Sequence, residues 1–174
     1  MILNTAKEAE LFLKQSGFKE IVIPFGEEEH GRFESYVLAI SNYENVKYIC
    51  LLPINLNEYK STEDDGQKRF ETPEETASRV LFNDTGLTTS VSSFVHTGII
   101  QETKDTKYVK GVIQKTKNIF CVKEFYGNIN EFPSISNKNK GQPFWFPLDK
   151  FGKIIDESQL DIILELHKNK NLLD

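Results

Sequence analysis

Apolar and polar positions along the chain alternate between helical and strand-like spacing. A capping-box pattern at Thr5 and Glu8, followed by apolar residues at helical spacing, predicts a first helix that ends at Gly17. Runs of strand-type composition predict five strands, at residues 21–23, 33–40, 46–52, 90–100 and 108–125. A last helix is expected to start near residues 156–158. This order of elements indicates a mixed α/β fold.

The strongest helix signal lies in the middle of the chain. Thr72 followed three residues later by Glu75 makes a capping box, and Pro73 falls at the first helical position, where its missing N–H costs nothing. Gly86 suits the left-handed residue that ends a helix. A helix from about Pro73 to Asp84 is therefore predicted.

Three positions of this helix are candidates for chemistry. Val80, Asn83 and Asp84 lie at i, i+3 and i+4, so their side chains share one face. Three carboxylates at that spacing would form an all-oxygen site for magnesium, a hard cation that also binds substrate phosphates. Only one carboxylate is present, because Val80 cannot ligate a metal and Asn83 has no charge. The alternative interpretation is an ordinary amphipathic helix packed on a sheet.

Residues 65–87 resemble the box motif of the Nudix hydrolases, G-x5-E-x7-R-E-U-x-E-E-x-G-U, where U is a bulky aliphatic residue. The sequence matches this pattern at Glu71, Arg79, Leu81, Gly86 and Leu87. It departs from the pattern at Asp65, Val80, Asn83 and Asp84, and Gly66 lies one residue from the expected leading glycine. The box is therefore interpreted as degenerate. The resemblance extends over roughly residues 30–170, and residues 144–149 are similar to the segment by which many family members enter their last helix.

The resemblance implies a Nudix-like α/β/α sandwich around a mixed sheet, with residues 1–174 as a single domain. Nudix hydrolases typically cleave a nucleoside diphosphate linked to another group, using magnesium or manganese on the box helix. The same cofactors are expected here if the protein is active.

Individual roles follow from the resemblance by position. Asp84 matches a metal-ligating glutamate, Asn83 matches a ligand that has lost its charge, and Val80 matches a carboxylate that is a metal ligand or base in family members. Arg79 matches the arginine that braces the site, against Glu71. A purely structural role for this brace is the favoured alternative.

A carboxylate from outside the box often completes the metal site in family members. Glu124 is the candidate in this chain, and its alternative interpretation is an exposed strand residue paired with a lysine. The acidic run at residues 63–65 is a further candidate, although such a run is more typical of a solvated loop.

Two other features bear on these expectations. The run of glutamates at residues 27–29, followed by His30, predicts a solvent-exposed turn, since consecutive carboxylates cannot all converge on one ion. In the last helix, the expected apolar positions are Leu160, Ile163, Leu164 and Leu166. Polar loops are predicted at residues 57–67 and 137–141.

Composition limits the classes of function. The chain has 174 residues and a net charge of −5, which indicates one globular domain and argues against a general nucleic-acid surface. No apolar run approaches the length of a membrane span, and the charged N-terminus is unlike a signal peptide. Cys50 and Cys121 lie in apolar stretches, which predicts reduced, buried thiols in a cytoplasmic protein.

Three functional hypotheses follow. The favoured one is a Nudix-like domain with impaired or absent hydrolysis that binds a nucleoside diphosphate-type ligand, such as a nucleotide or another phosphorylated small molecule. The alternatives are a divergent metal-dependent pyrophosphohydrolase and a non-catalytic protein-interaction module. The sequence leaves the ligand, the oligomeric state and the pathway open.

Overall fold

The computed structural model describes residues 1–57, 69–127 and 140–169. The helices and strands in these ranges follow one another as α1 (Ala6–Ser16), β1 (Glu20–Val22), β2 (Phe25–Glu27), β3 (Glu34–Tyr43), β4 (Val46–Ile54), α2 (Pro73–Thr85), β5 (Val95–Lys104), β6 (Val112–Val122), β7 (Phe144–Pro147) and α3 (Leu160–His167).

The strands of the described ranges form one mixed sheet of seven strands. The main path runs β1-β4-β3-β6-β5, while β2 pairs with β3 and β7 pairs with β4. β3 and β6 are parallel, in a register that runs from Glu34↔Lys117 to Ala39↔Val122, and the remaining pairs are antiparallel. A parallel pair needs a long connection. The connection from β3 to β6 includes α2.

Helices cover both faces of this sheet. Because successive strand residues point to opposite faces, Tyr36 and Leu38 of β3 pack with α1 and α3, whereas Val37 and Ala39 pack with α2. The expected α/β/α sandwich around a mixed sheet is confirmed. The assignment of residues 1–174 to a single domain stays a prediction.

Local sequence signals determine where α2 begins and ends, as predicted. The Thr72 hydroxyl accepts a hydrogen bond from the Glu75 backbone N–H at 3.2 Å, and the Glu75 carboxylate accepts one from the Thr72 backbone N–H at 3.0 Å. Pro73 begins the helix, and Gly86 ends it with a φ of 76°. The predicted β3–β4 hairpin is also present, and its turn residues Glu44 and Asn45 both have positive φ.

Two predicted strands differ from the observed ones: the strand predicted at residues 90–100 is shifted to Val95–Lys104, and the strand predicted at residues 108–125 was too long. Residues 91–93 form a 3-10 turn and β5 starts only at Val95. β6 starts at Val112 rather than at residue 108, because the Asp105 carboxylate accepts a hydrogen bond from the Gly111 N–H at 2.9 Å and closes a loop. The short strands β2 and β7 were not predicted.

The buried face of the last helix also differs from the prediction. Leu160 and Leu164 are exposed, whereas Ile162 and Leu166 are buried. The cause lies in the 3-10 turn before α3, which contains Gln159. The Gln159 side-chain amide accepts a hydrogen bond from the Ile23 N–H at 2.6 Å and donates one to the Ile23 carbonyl at 3.1 Å. This anchor fixes the rotation of the helix.

The remaining sequence expectations concern the two cysteines, membrane-spanning segments and residues that lie outside the described ranges. Cys50 and Cys121 are buried free thiols, and burial raises the pKa of both. None of the helices in the described ranges has the length and apolarity needed to cross a bilayer. Asp65, Gly66, the acidic run at 63–65 and most of the two predicted polar loops lie outside the described residues.

Candidate functional site

The start of α2 is held by an arginine–carboxylate pair. Arg79 donates to Glu71 through two nitrogens, with Nε 3.0 Å from Oε2 and Nη2 2.9 Å from Oε1. The same Nη2 donates to the Glu27 carbonyl at 2.8 Å, and the Thr76 hydroxyl donates to Glu71 at 3.3 Å. Arg79 therefore ties the segment before α2 and the end of β2 to the helix. Its role as a site brace stays a prediction.

Glu28 is buried, so the prediction of a solvent-exposed turn is wrong for this residue, whereas Glu27 and His30 are exposed and residues 29 and 30 form a turn. Its carboxylate accepts hydrogen bonds from the backbone N–H groups of His30, Arg32 and Glu71, at 3.0, 3.3 and 3.4 Å. The Arg32 side chain adds an ion pair at 3.2 Å. Gly31, with a φ of 73°, turns the chain so that these donors converge on one carboxylate.

The surroundings of Glu28 stabilise its charge. Burial by itself raises the pKa of this carboxyl, but the hydrogen bonds from Arg32, Glu71 and His30 outweigh burial and the pKa is lowered. Glu28 is therefore an ionised group that connects the end of β2 with the residue before the α2 cap.

The three predicted site positions on α2 have different surroundings. Val80 is buried in the core cluster between α2 and the sheet. Asn83 is half-buried, and Asp84 is buried. Only the last of these positions carries a charge.

Asp84 forms a buried ion pair with Lys140. The Lys140 Nζ lies 2.5 Å from Asp84 Oδ1, and the two side chains are 4% and 1% exposed. The Lys140 backbone is fixed beside β4 by two contacts. Lys140 forms an isolated antiparallel β-bridge with Ile54, and the Gly141 N–H donates a hydrogen bond to the Pro53 carbonyl at 2.7 Å. Burial raises the pKa of the Cys50 thiol, and the charge of Asp84 raises it further.

The ligand atoms that this face of α2 offers do not fit a magnesium site. Val80 has no ligand atom, Asn83 offers a neutral amide, and Asp84 already contacts an ammonium group that would repel a divalent cation. Across the three described ranges, no group of three or more histidine, cysteine, aspartate or glutamate residues is arranged to hold a metal ion.

Glu124, the other proposed metal ligand, lies beyond the sheet. β6 ends at Val122, so Glu124 does not occupy the predicted strand position. Its side chain is exposed, and its backbone carbonyl accepts a hydrogen bond from the Thr89 hydroxyl. A metal-ligand role for Glu124 stays a prediction.

An exposed aromatic surface adjoins the brace. The His30 and Phe70 rings are stacked, with centroids 4.0 Å apart and planes at 13°, and the Arg32 guanidinium carbon lies 4.9 Å from the Phe70 ring centroid. Phe70 is 73% exposed. Arg32 also donates to the Glu71 carbonyl at 2.7 Å, so this aromatic platform (His30, Arg32 and Phe70) is fixed to the start of α2.

Two residues of this region could not be found from the sequence. Lys140 lies 56 positions from Asp84 within an expected polar loop, and no local pattern joins them. Glu28 stands in a run of three glutamates, which resembles a solvated turn. The only available signal was the glycine at position 31, which permits the turn that brings donors onto Glu28.

Comparison with known proteins identifies a similarity of fold. No protein-family model and no curated protein matches the sequence. Among solved structures, the Nudix domain of Shewanella oneidensis NrtR, in a complex with ADP-ribose, aligns with a TM-score of 0.52 at 11% identity, over 95% of this chain and 98% of that one. The protein has a Nudix-like fold.

Two further structures align less well than the NrtR domain. A C. elegans Ap4A hydrolase binary complex has a TM-score of 0.49 at 15% identity, over 80% of this chain and 95% of that chain. A T. brucei MERS1–RNA complex has a TM-score of 0.44 at 10% identity, over 86% of this chain and 60% of that chain. These scores add no weight to the Nudix-like assignment. At such identities a likeness concerns the fold, and function has to be argued from the site.

Proposed function

We propose that this protein is a Nudix-like domain that binds a nucleoside diphosphate-type ligand and has impaired or absent hydrolysis. The observation that carries the proposal is the buried 2.5 Å ion pair between Asp84 and Lys140. It engages the one carboxylate that remains among positions 80, 83 and 84. Residues 65–87 are accordingly interpreted as a degenerate box.

The energetics support the loss of hydrolysis. Lys140 holds Asp84 Oδ1, so a divalent cation on Asp84 would lie beside a buried ammonium group that repels it. Val80 cannot act as a base, and a general base typically contributes roughly 10²–10⁴-fold in rate. Both effects act in the same direction.

Two features favour a nucleoside diphosphate as the ligand. The NrtR domain with the same fold is bound to ADP-ribose. In this chain, the aromatic platform offers an exposed ring for a base, beside an arginine whose guanidinium suits phosphate oxygens. Its connection to Glu71 holds it in place without any metal.

Calorimetric titration with ADP-ribose, in magnesium and separately in EDTA, tests both parts of the proposal. We expect the same affinity in both buffers and no AMP or ribose 5-phosphate on chromatography after long incubation. Magnesium-dependent cleavage would refute the loss of hydrolysis. Absence of binding by ADP-ribose and a panel of other nucleoside diphosphates would refute the ligand class and favour the interaction-module alternative.

Two exposed phenylalanines provide a matched pair of variants. Phe70→Ala removes the ring of the platform, and we expect ADP-ribose affinity to fall by about 5- to 100-fold, the worth of one base–aromatic stack. Phe82→Ala removes a ring of similar exposure from α2 and should leave the affinity unchanged. Equal affinity losses in both variants would contradict the platform as the base-binding surface.

A further inference from the structure

A separate cavity lies on the face of the sheet that is opposite α2. Its volume is about 780 Å³, it is open to solvent, and it is lined by the β3–β4 turn, the segment that follows β7, and the end of α3. Phe151 and Leu166 in its wall belong to the core cluster of α1 and α3, whereas the α2 residues belong to the other cluster. The volume falls within the range of small-molecule sites.

The wall and rim of this cavity differ in character. Phe151, Ile163 and Leu166 give it an apolar interior. At the rim are three lysines and one carboxylate, namely Lys47, Lys150, Lys153 and Asp149. Since the chain as a whole has a net charge of −5, this local excess of positive charge is opposite in sign to the rest of the protein.

We propose that the cavity binds a small amphiphile with one anionic head group and an apolar body. The apolar wall removes the body of such a molecule from water, and burial of apolar area is the main driving force for binding. The exposed Lys150 and Lys153 of the rim keep their ammonium groups in water and meet the head group there. This site is independent of the proposed nucleotide site, because the cavity and the aromatic platform share no residue.

Octanoate is the probe, and 1-octanol has the same body without the charge. Calorimetric titration of the full chain should show octanoate binding that the Lys150→Met/Lys153→Met double variant weakens by about tenfold, since each exposed charge pair contributes modestly. The double variant should leave 1-octanol binding unchanged. The matched control is Lys104→Met/Lys107→Met, which changes net charge equally at exposed lysines of the β5–β6 hairpin and should leave both affinities unchanged.

A variant of the apolar part locates the body. Val46 lines the cavity and is 42% exposed, so Val46→Glu should fold, which circular dichroism and a thermal melt verify. It should weaken 1-octanol through the lost apolar contact, and octanoate by more, because the new carboxylate also repels the anionic head group. The proposal is overturned if octanoate does not bind, if both lysine double variants weaken it equally, or if Val46→Glu changes neither affinity.

Discussion

The two ends of α2 use charge in different ways. At its start, Arg79 and Glu71 form a bidentate pair that remains partly open to solvent and ties neighbouring segments to the helix. At its end, Asp84 and Lys140 form a pair that is almost fully buried. The first pair serves the local architecture whether or not any chemistry occurs. The second follows from a physical requirement, since a buried carboxylate needs a counter-charge, which a metal ion or an ammonium group can supply.

The largest expected effect is at the buried end. Asp84→Ala removes the carboxylate partner of a buried ammonium, and Lys140→Met removes the ammonium partner of a buried carboxylate. Each substitution should lower the free energy of unfolding by about 3–5 kcal/mol. Denaturant unfolding followed by circular dichroism measures this change.

A double variant separates the contribution of the ion pair from the cost of leaving either charge buried without its partner. Asp84→Leu with Lys140→Met replaces both charges by apolar side chains, so it should be far more stable than either single variant, and such replacements are often neutral or stabilising. If the single variants cost less than about 1 kcal/mol, the pair behaves like an exposed salt bridge and our account of it fails.

At the other end, the next largest effect is expected for Glu28. Glu28→Gln keeps the shape but loses the charge, and should cost about 1.5–3 kcal/mol because hydrogen bonds to a charged group are weakened. The pKa of Glu28 is lowered in the folded protein, so its contribution is complete above the ordinary carboxyl pKa and is lost as the pH falls through the lowered pKa.

Unfolding across acidic pH provides the test for Glu28. The stability of Glu28→Gln should depend less on pH than that of the parent protein on the acidic side. Parallel curves for the two proteins would show that Glu28 does not stabilise the fold through its charge.

A smaller effect is expected for the brace. Arg79→Lys keeps the charge but replaces a planar fork by a single ammonium, so the bidentate geometry is lost and about 1 kcal/mol of stability with it. Chemical denaturation of Arg79→Lys, Glu71→Gln and the double variant forms a cycle. Exactly additive losses would mean that the two side chains do not act as a pair.

The smallest expected effect is on metal binding at the end of α2 where Asp84 pairs with Lys140. Val80→Glu with Asn83→Glu restores carboxylates, but Lys140 still engages Asp84, so calorimetry should detect no magnesium uptake. Adding Lys140→Met should permit weak uptake. Uptake by the variant that retains Lys140 would contradict the ion pair as the obstacle, and a thermal melt of each variant verifies folding.

The sequence predicted what depends on neighbouring residues. Thr72, Pro73, Glu75 and Gly86 fix the ends of α2 through contacts within a few positions, and each acts as expected. The mixed α/β order followed from the pattern of elements, and the α/β/α arrangement from the family resemblance.

Long-range contacts explain what the sequence did not predict. Nothing near Asp84 indicates that a lysine 56 positions away would meet it. Leu164 has the spacing of a core residue, yet it is 66% exposed, because Gln159 sets the rotation of α3 through its bonds to Ile23. Glu28 is ionised and buried because a glycine turn directs several donors toward it.

The parallel pairing of β3 with β6 also has a consequence for folding kinetics. The β3–β4 hairpin joins residues that are close in sequence, so little loop-closure entropy opposes it. β3 and β6 are distant in sequence, and α2 lies in the connection between them. Pairings of this kind form slowly because the loop-closure entropy of the long connection opposes them before their contacts are made. We therefore expect the pairing of β3 with β6 to form later than the β3–β4 hairpin.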